Sequence, residues 1–259
     1  MATEQFDVTD DQIAFFRENG YLNYGPILTP EELDELRDEV QRFIAGEQSA
    51  LMRQDLGGAS DTAVGEEKFV QISGLWKVSP IVRRFATMER RARIAAALLG
   101  VEKIRLLSDM VLFKPPGGSR TTEWHQDYPD HPTSLPDITA WTALDPTTVA
   151  NGCMQYIPGS HHWGEVMGYD YEGGAAAKRG IDLSTAVAIE LRPGEAVFHH
   201  SLSMHYAGPN NTDMPRRAYI TRLMPAETVH RFQRADRDSK ELEGTPFSDE
   251  DYPVLAFDE

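Results

Sequence analysis

From Ile104 onward the chain changes rhythm. Apolar residues stop recurring every three or four positions and alternate in short runs. Each run is closed by a turn rich in proline, glycine or asparagine: Pro115-Pro116-Gly117-Gly118, Pro158-Gly159, Pro193-Gly194 and Pro209-Asn210-Asn211. Alternation turns one face of each run toward a core, because strand side chains point to opposite sides in succession. Many short strands with such turns imply a sandwich or jelly roll, mainly β. Thr185–Leu191 and Ala196–His200 read as two strands of a tight hairpin around Pro193-Gly194. Residues 163–184 are glycine-rich and irregular, and read as a surface excursion.

The first hundred residues read as mostly helical. Thr9 caps a short helix that Gly20 ends. Thr29-Pro30-Glu31-Glu32 is a stronger start, with a cap, a proline in the first turn and a glutamate completing a capping box. Leu33, Leu36, Val40, Phe43 and Ile44 follow at helical spacing. Ser79-Pro80 opens another helical stretch with Phe85, Met88, Ala92, Ala95 and Leu99 on its apolar face and Gly100 at its end. Arg83, Arg84, Arg90, Arg91 and Arg93 in that stretch read as a solvated face rather than an anion patch. The polar, glycine-rich segment 50–68 reads as a loop and a candidate lid, as does 128–136.

A length of 259 residues suits one domain over 1–259: a mostly helical part at 1–100, a β core at 101–225 and a charged tail at 226–259. The net charge of −16 argues against a nucleic-acid partner, which needs a basic footprint, and weakly against an anionic membrane. A small-molecule partner is the expectation. Cys153 is the single cysteine, so no intrachain disulfide can form, which fits a reducing compartment. The polar, acidic N-terminus shows no secretory pattern, and no stretch reaches the apolar length of a membrane span. The cytoplasm is the expected location.

One constellation carries chemistry. His125-Gln126-Asp127 sits in the β run 122–128, where residues two apart on a strand share a face. A second histidine from a later strand can complete a three-point cap on one metal ion. Two imidazoles and a carboxylate, with the other positions open, is the ligand set of non-haem Fe(II) oxygenases. Of the other histidines, His161 and His162 follow a turn, His131 lies in a proline-flanked loop and His230 in the charged tail region. His199 and His200 end a strand, so that one can line the barrel. His205 precedes the turn at Gly208, and Arg216 follows on the next strand, placed to hold an anionic co-substrate.

The segments Phe113-Lys114-Pro115-Pro116-Gly117, His125-Gln126-Asp127, Ala140 to Leu144, Asn151 to His161, Gly194 to His199 and His205 to Arg217 resemble, in order, the phytanoyl-CoA dioxygenase family. Phe15 to Tyr21 adds an N-terminal match, and the resemblance spans roughly 10–225. It implies a double-stranded β-helix, a cupin-like jelly roll with flanking helices. It also implies Fe(II), 2-oxoglutarate and O2 as the reacting set, with succinate and CO2 released as a small metabolite or natural-product intermediate is oxidised. By motif, the resemblance assigns the metal to His125, Asp127 and His205. It assigns the co-substrate to Arg216, with Lys77 helping and Gln126 and Trp141 lining the pocket. Arg217 would face the other way.

Many relatives carry a hydroxyl two residues after the second histidine; Ala207 stands there, and Thr142, Tyr206 or Ser108 is expected to substitute. Halogenating relatives lack the carboxylate, so Asp127 implies oxygenation rather than halogenation. The competing reading is a metal-binding, cupin-like ligand-binding module without turnover. Such a module would have no use for Arg216.

Overall fold

The structure is a computed structural model that describes residues 7–55, 69–169, 174–231 and 242–255. Helix boundaries follow local chemistry. In α1 (Asp10–Asn19) the Thr9 hydroxyl accepts from the Gln12 N–H, and Gln12 returns a bond to the Thr9 N–H. Gly20 closes it at φ 79°, a left-handed conformation in which a side chain would be strained. In α2 (Pro30–Ile44), Thr29 and Glu32 form the same reciprocal cap. The stretch after Ser79 is two helices, α4 (Pro80–Ala86) and α5 (Glu89–Leu99), broken at Thr87-Met88; α3 (Leu75–Val78) precedes them.

The arginine run is paired rather than poised for an anion. Arg84 bonds Glu35, Arg90 bonds Glu32 and Arg93 bonds Glu89. Arg91 is not solvated at all: it lies buried and donates to the Phe85 carbonyl.

Two antiparallel sheets face each other. The larger runs β1 (Tyr21–Pro26), β9 (Glu195–His200), β6 (Ile138–Ala143), β11 (Arg216–Pro225), β4 (Ile104–Lys114), β3 (Val70–Ser73), β2 (Met52–Asp55), and β12 (Val254–Leu255) also pairs with β4. The smaller runs β5 (Thr122–His125), β10 (His205–Ala207), β7 (Met154–Tyr156), β8 (Val187–Ile189). One face of the large sheet packs on the helices through Phe16, Leu36, Phe43, Phe85, Ile94, Phe198 and Tyr219. Its other face meets the small sheet through Met110, Trp141, Met154, Tyr156 and Ile220. This is the expected mainly β jelly roll with flanking helices.

Several expectations are corrected. The first hundred residues hold strands beside the expected helices, because β1, β2 and β3 belong to the large sheet. The expected hairpin at Pro193-Gly194 does not form: β8 pairs with β7 in the small sheet, while β9 pairs with β1 and β6 in the large one. That turn carries the chain between sheets. The expected loop 50–68 contains β2, and its remainder from residue 56 lies outside the described residues. Among the described residues, no helix is long and apolar enough to cross a membrane.

Candidate metal centre and its chamber

Between the sheets lies a chamber of about 400 Å³. His125 ends β5 and His205 begins β10, directly opposite each other in register, with ring centroids 4.1 Å apart. Asp127 reaches them by a route that strand alternation did not predict. The strand stops at His125, and Asp127 has helical backbone angles (φ −71°, ψ −42°) as the chain enters a single 3-10 turn, Tyr128–Asp130.

A ligand atom from each of the three lies within 4.8 Å of the others. Asp127 Oδ1 is 3.7 Å from His125 Nε2 and 3.9 Å from His205 Nε2. Those gaps are too long for hydrogen bonds and suit groups converging on one ion. Each imidazole is fixed from behind. His125 Nδ1 bonds the Glu123 carbonyl at 2.7 Å and His205 Nδ1 the Ser203 carbonyl at 2.9 Å. Because a carbonyl only accepts, each Nδ1 carries the proton and each Nε2 presents a lone pair inward. Burial holds His205 well below its usual pKa, with the neighbouring imidazoles acting the same way, so it stays neutral and able to ligate. The donor set therefore fits an iron ion.

Asp127's other oxygen, Oδ2, accepts from the Thr139 hydroxyl at 3.1 Å and lies 3.4 Å from His199 Nε2. His199 Nδ1 in turn bonds the Tyr156 hydroxyl at 2.9 Å. The Arg222 guanidinium is 3.1 Å from Oδ1. Burial alone would raise the Asp127 pKa; Arg222 and the histidines outweigh it and hold the carboxyl well below the usual range. Thr139 and Arg222 were not anticipated. They are cross-strand partners on β6 and β11, so only the register shows that they meet.

Arg216 opens β11 and lines the same chamber, 1% exposed, with its guanidinium 5.5 Å from the Trp141 ring. Its Nε and Nη1, and Trp141 Nε1, are buried without a partner among the described residues. Buried donors of this kind are costly unless an acceptor meets them, and a carboxylate does so bidentately. Arg217 takes the opposite face, where it clasps Asp145 at 2.7–2.8 Å and reaches Gln41.

Three expected pocket residues lie elsewhere. Lys77 sits exposed at the end of α3 and bonds Asp251 Oδ1 at 2.7 Å. Gln126 points away from the chamber. Its Nε2 donates to the Gly164 and Leu202 carbonyls, and its Oε1 accepts from the Val166 and Met167 N–H groups. Thr142 shares the helix-facing side of β6 with Ala140, because alternation sends Thr139, Trp141 and Ala143 the other way. Ala207 does line the chamber, but Thr142, Tyr206 and Ser108 do not. The hydroxyl nearest in register is Thr122, directly across from Ala207 and also lining it.

Comparison with known proteins identifies the family and the fold. The family model for phytanoyl-CoA dioxygenase (PhyH) matches residues 16–218. A probable phytanoyl-CoA dioxygenase of Caenorhabditis elegans is 29% identical over 228 residues, 80% of this chain and 72% of the relative. Among solved structures, the non-haem alpha-ketoglutarate-dependent epimerase SnoN from nogalamycin biosynthesis is similar with TM-score 0.81 and 28% identity, covering 96% of both chains. The carbocyclase SnoK from the same biosynthesis, also alpha-ketoglutarate-dependent, reaches TM-score 0.81 at 26% identity over 96% of this chain and 97% of its own. SnoN has also been solved with Fe3+, alpha-ketoglutarate and nogalamycin RO.

Proposed function

This chain belongs to the phytanoyl-CoA dioxygenase family and is an Fe(II)- and 2-oxoglutarate-dependent dioxygenase, and we propose that His125, Asp127 and His205 hold its iron while Arg216 holds its co-substrate. One observation carries the assignment. Two imidazoles fixed by backbone carbonyls and one carboxylate converge in the chamber that also holds the unpartnered N–H groups of Arg216.

Bound together, Fe(II) and 2-oxoglutarate supply the oxidising power: with O2, 2-oxoglutarate becomes succinate and CO2 as the substrate is oxidised. The chain's residues bind and orient. Arg216 and Trp141 receive the far carboxylate of 2-oxoglutarate, and the Thr122 hydroxyl takes the place of the one missing at Ala207. Thr139 and His199 hold Asp127 Oδ2, which leaves Oδ1 toward the imidazoles. Lys77, Gln126 and Thr142 have no part in this assignment.

The substrate is a small molecule. A natural-product intermediate is the favoured class, on the likeness to SnoN and SnoK. The single cysteine, Cys153, is buried and unpaired, which fits a reducing, cytoplasmic setting.

The test is anaerobic. Fe(II) and 2-oxoglutarate added to the protein are expected to give a visible metal-to-ligand charge-transfer band. It should vanish in His125→Ala, Asp127→Ala and His205→Ala proteins that remain folded by circular dichroism. A band that persists in His205→Ala would remove His205 from the ligand set. A metal-binding module without turnover would bind iron but give no band on addition of 2-oxoglutarate.

A further inference from the structure

Iron and co-substrate binding leave one buried polar pair in the chamber unexplained. His131 lines the chamber, and its Nδ1 lies 2.8 Å from Asp137 Oδ2. Both residues are buried, and Asp137 is wholly inaccessible. The Thr133 hydroxyl bonds the same carboxylate oxygen at 3.2 Å. The backbone of Asp137 is locked to Ser201 twice, through its N–H to Ser201 Oγ and its carbonyl to the Ser201 N–H. The loop bearing His131 is pinned as well. The Tyr128 hydroxyl donates to the Ser134 carbonyl at 3.0 Å, and Arg231 stacks 4.1 Å from the Tyr128 ring while donating to the Tyr128 carbonyl. These contacts hold the segment 128–136, one of the two expected lid candidates, against the chamber in this structure.

A carboxylate accepts only, so the 2.8 Å contact puts a proton on Nδ1, and in the neutral imidazole Nε2 then carries a lone pair. Nε2 has no partner among the described residues. A histidine buried merely for packing would not need a buried carboxylate to fix its tautomer, and burying a carboxylate is costly.

Position along β6 says which end of the chamber this is. Thr139, at the level of the metal ligands, bonds Asp127. Two residues to one side is Trp141, beside Arg216 at the co-substrate end. Two residues to the other side is Asp137, so His131 lies at the end away from Arg216. There Asp130 also lines the chamber, its carboxylate accepting from the Tyr169 N–H at 2.8 Å. This end therefore carries the His131 imidazole and the Asp130 carboxylate beside the Tyr169 phenol, which lines the same chamber.

We propose that His131, oriented by Asp137, is a substrate-anchoring residue whose Nε2 accepts a hydrogen bond from a hydroxyl, so that the substrate is a hydroxyl-bearing molecule such as a glycoside, polyol or phenol. This rests on the dioxygenase reading above and deepens it. A bare hydrocarbon chain offers nothing to the acceptors at this end. A hydroxyl bound here lies across the metal ligands from 2-oxoglutarate and fixes which carbon faces the iron. Asp137 is a positioning residue that acts through His131.

The experiment uses protein loaded with Fe(II) and 2-oxoglutarate without oxygen, after the charge-transfer band has shown the loaded state. A missing band would count against the dioxygenase assignment, whereas alcohol binding to the loaded protein tests the subsite alone. Binding of methyl glucosides, inositols, catechols and flavonoids is measured by calorimetry, each beside its O-methyl ether. At least one alcohol is expected to bind about tenfold tighter than its ether, the scale of one buried hydrogen bond. His131→Phe should abolish that preference while keeping the band. Asp137→Asn is nearly isosteric and guards against a folding defect. It should move the imidazole proton to Nε2, seen by nitrogen NMR on the Zn(II)-loaded protein, and erase the preference, as a wrong tautomer does in other Asp–His pairs. No alcohol preferred over its ether in the unaltered protein overturns the proposal. So does an Nε2–H tautomer there, or an Asp137→Asn protein in which the proton moves and the preference stays.

Discussion

At the scale of single residues, the site separates neighbours that look interchangeable in the sequence. Arg216 and Arg217 are adjacent, yet one lies in the chamber with unpartnered donors and the other is spent on Asp145 and Gln41. Arg216→Ala is expected to raise the 2-oxoglutarate requirement by roughly ten- to a hundredfold, for a lost charge-assisted bond of about 1.5–3 kcal/mol, while iron still binds. Titration of the charge-transfer band checks this. An unchanged requirement, or an equal loss in Arg217→Ala, would exclude the role given to Arg216. The histidines make a parallel case. His199 touches Asp127 and Tyr156 but lies outside the converging triad. His199→Ala is therefore expected to keep most of its iron by metal analysis, whereas His205→Ala loses it. Thr122→Val should weaken 2-oxoglutarate binding by a few-fold, about one neutral hydrogen bond; unchanged binding would leave Ala207 without a substitute hydroxyl. The ligand triad was legible because its residue types are rare together and its order in the chain resembles a known family. Thr122, Thr139 and Arg222 were not, since each enters the site through cross-strand register, which leaves no mark on the local sequence.

Elements show the same division between local and distant physics. Helix ends were readable because a cap is written in four residues: Thr29 through Glu32 form the expected box, and Gly20 and Gly100 take the left-handed angles expected of them. Strand pairing was not readable. β8 and β9 are separated by a good turn sequence, yet each finds its partners in a different sheet. Alternation also misjudged Asp127, which leaves the strand before it reaches the metal site. Gln126, between the two ligands, shows what that exit requires. Its amide satisfies two backbone carbonyls and two backbone N–H groups, and so ties the end of β5 to the segment 164–167 and to Leu202. Gln126→Ala should leave those mostly part-buried groups without their protein partner and lower stability by roughly 1–3 kcal/mol, since a buried unsatisfied group costs about 1–3 kcal/mol and water can reach the part-buried ones. Denaturant unfolding measures the loss, and hydrogen exchange should show faster opening at Val166 and Met167. If 2-oxoglutarate binding falls sharply while stability holds, Gln126 contacts the co-substrate after all.

Over the whole molecule, the helical layer and the large sheet are joined at a buried polar knot behind the chamber. Asp109 on β4 accepts from the Trp76 N–H at the start of α3 and from the Tyr219 hydroxyl of β11, and Arg91 of α5 lies 5.8 Å from the Tyr219 ring. Burial pushes the Asp109 carboxyl up to about 7, against the smaller opposing pull of its hydrogen bonds. A carboxyl whose pKa is higher in the folded chain than in the unfolded one holds its proton longer when folded. Between the unfolded value of 3.8 and about 7, the folded state therefore binds more protons, and stability from this group falls as pH rises. Below that window the group has no effect; above it, the full cost is present, on the order of 4 kcal/mol as an upper bound. Asp127 and the buried histidines act in the opposite sense, because their pKa values are lowered on folding. The net profile of the unaltered protein would hide the Asp109 contribution, and a difference between variants isolates it. Asp109→Asn keeps the shape and an acceptor for the Trp76 N–H but cannot ionise. Its stability relative to the unaltered protein should rise steadily from about pH 4 to about pH 7 and then level, by chemical unfolding at fixed ionic strength. A difference that stays constant over that range would mean Asp109 ionises inside the fold as readily as outside it, and that the joint between the two layers carries no buried proton.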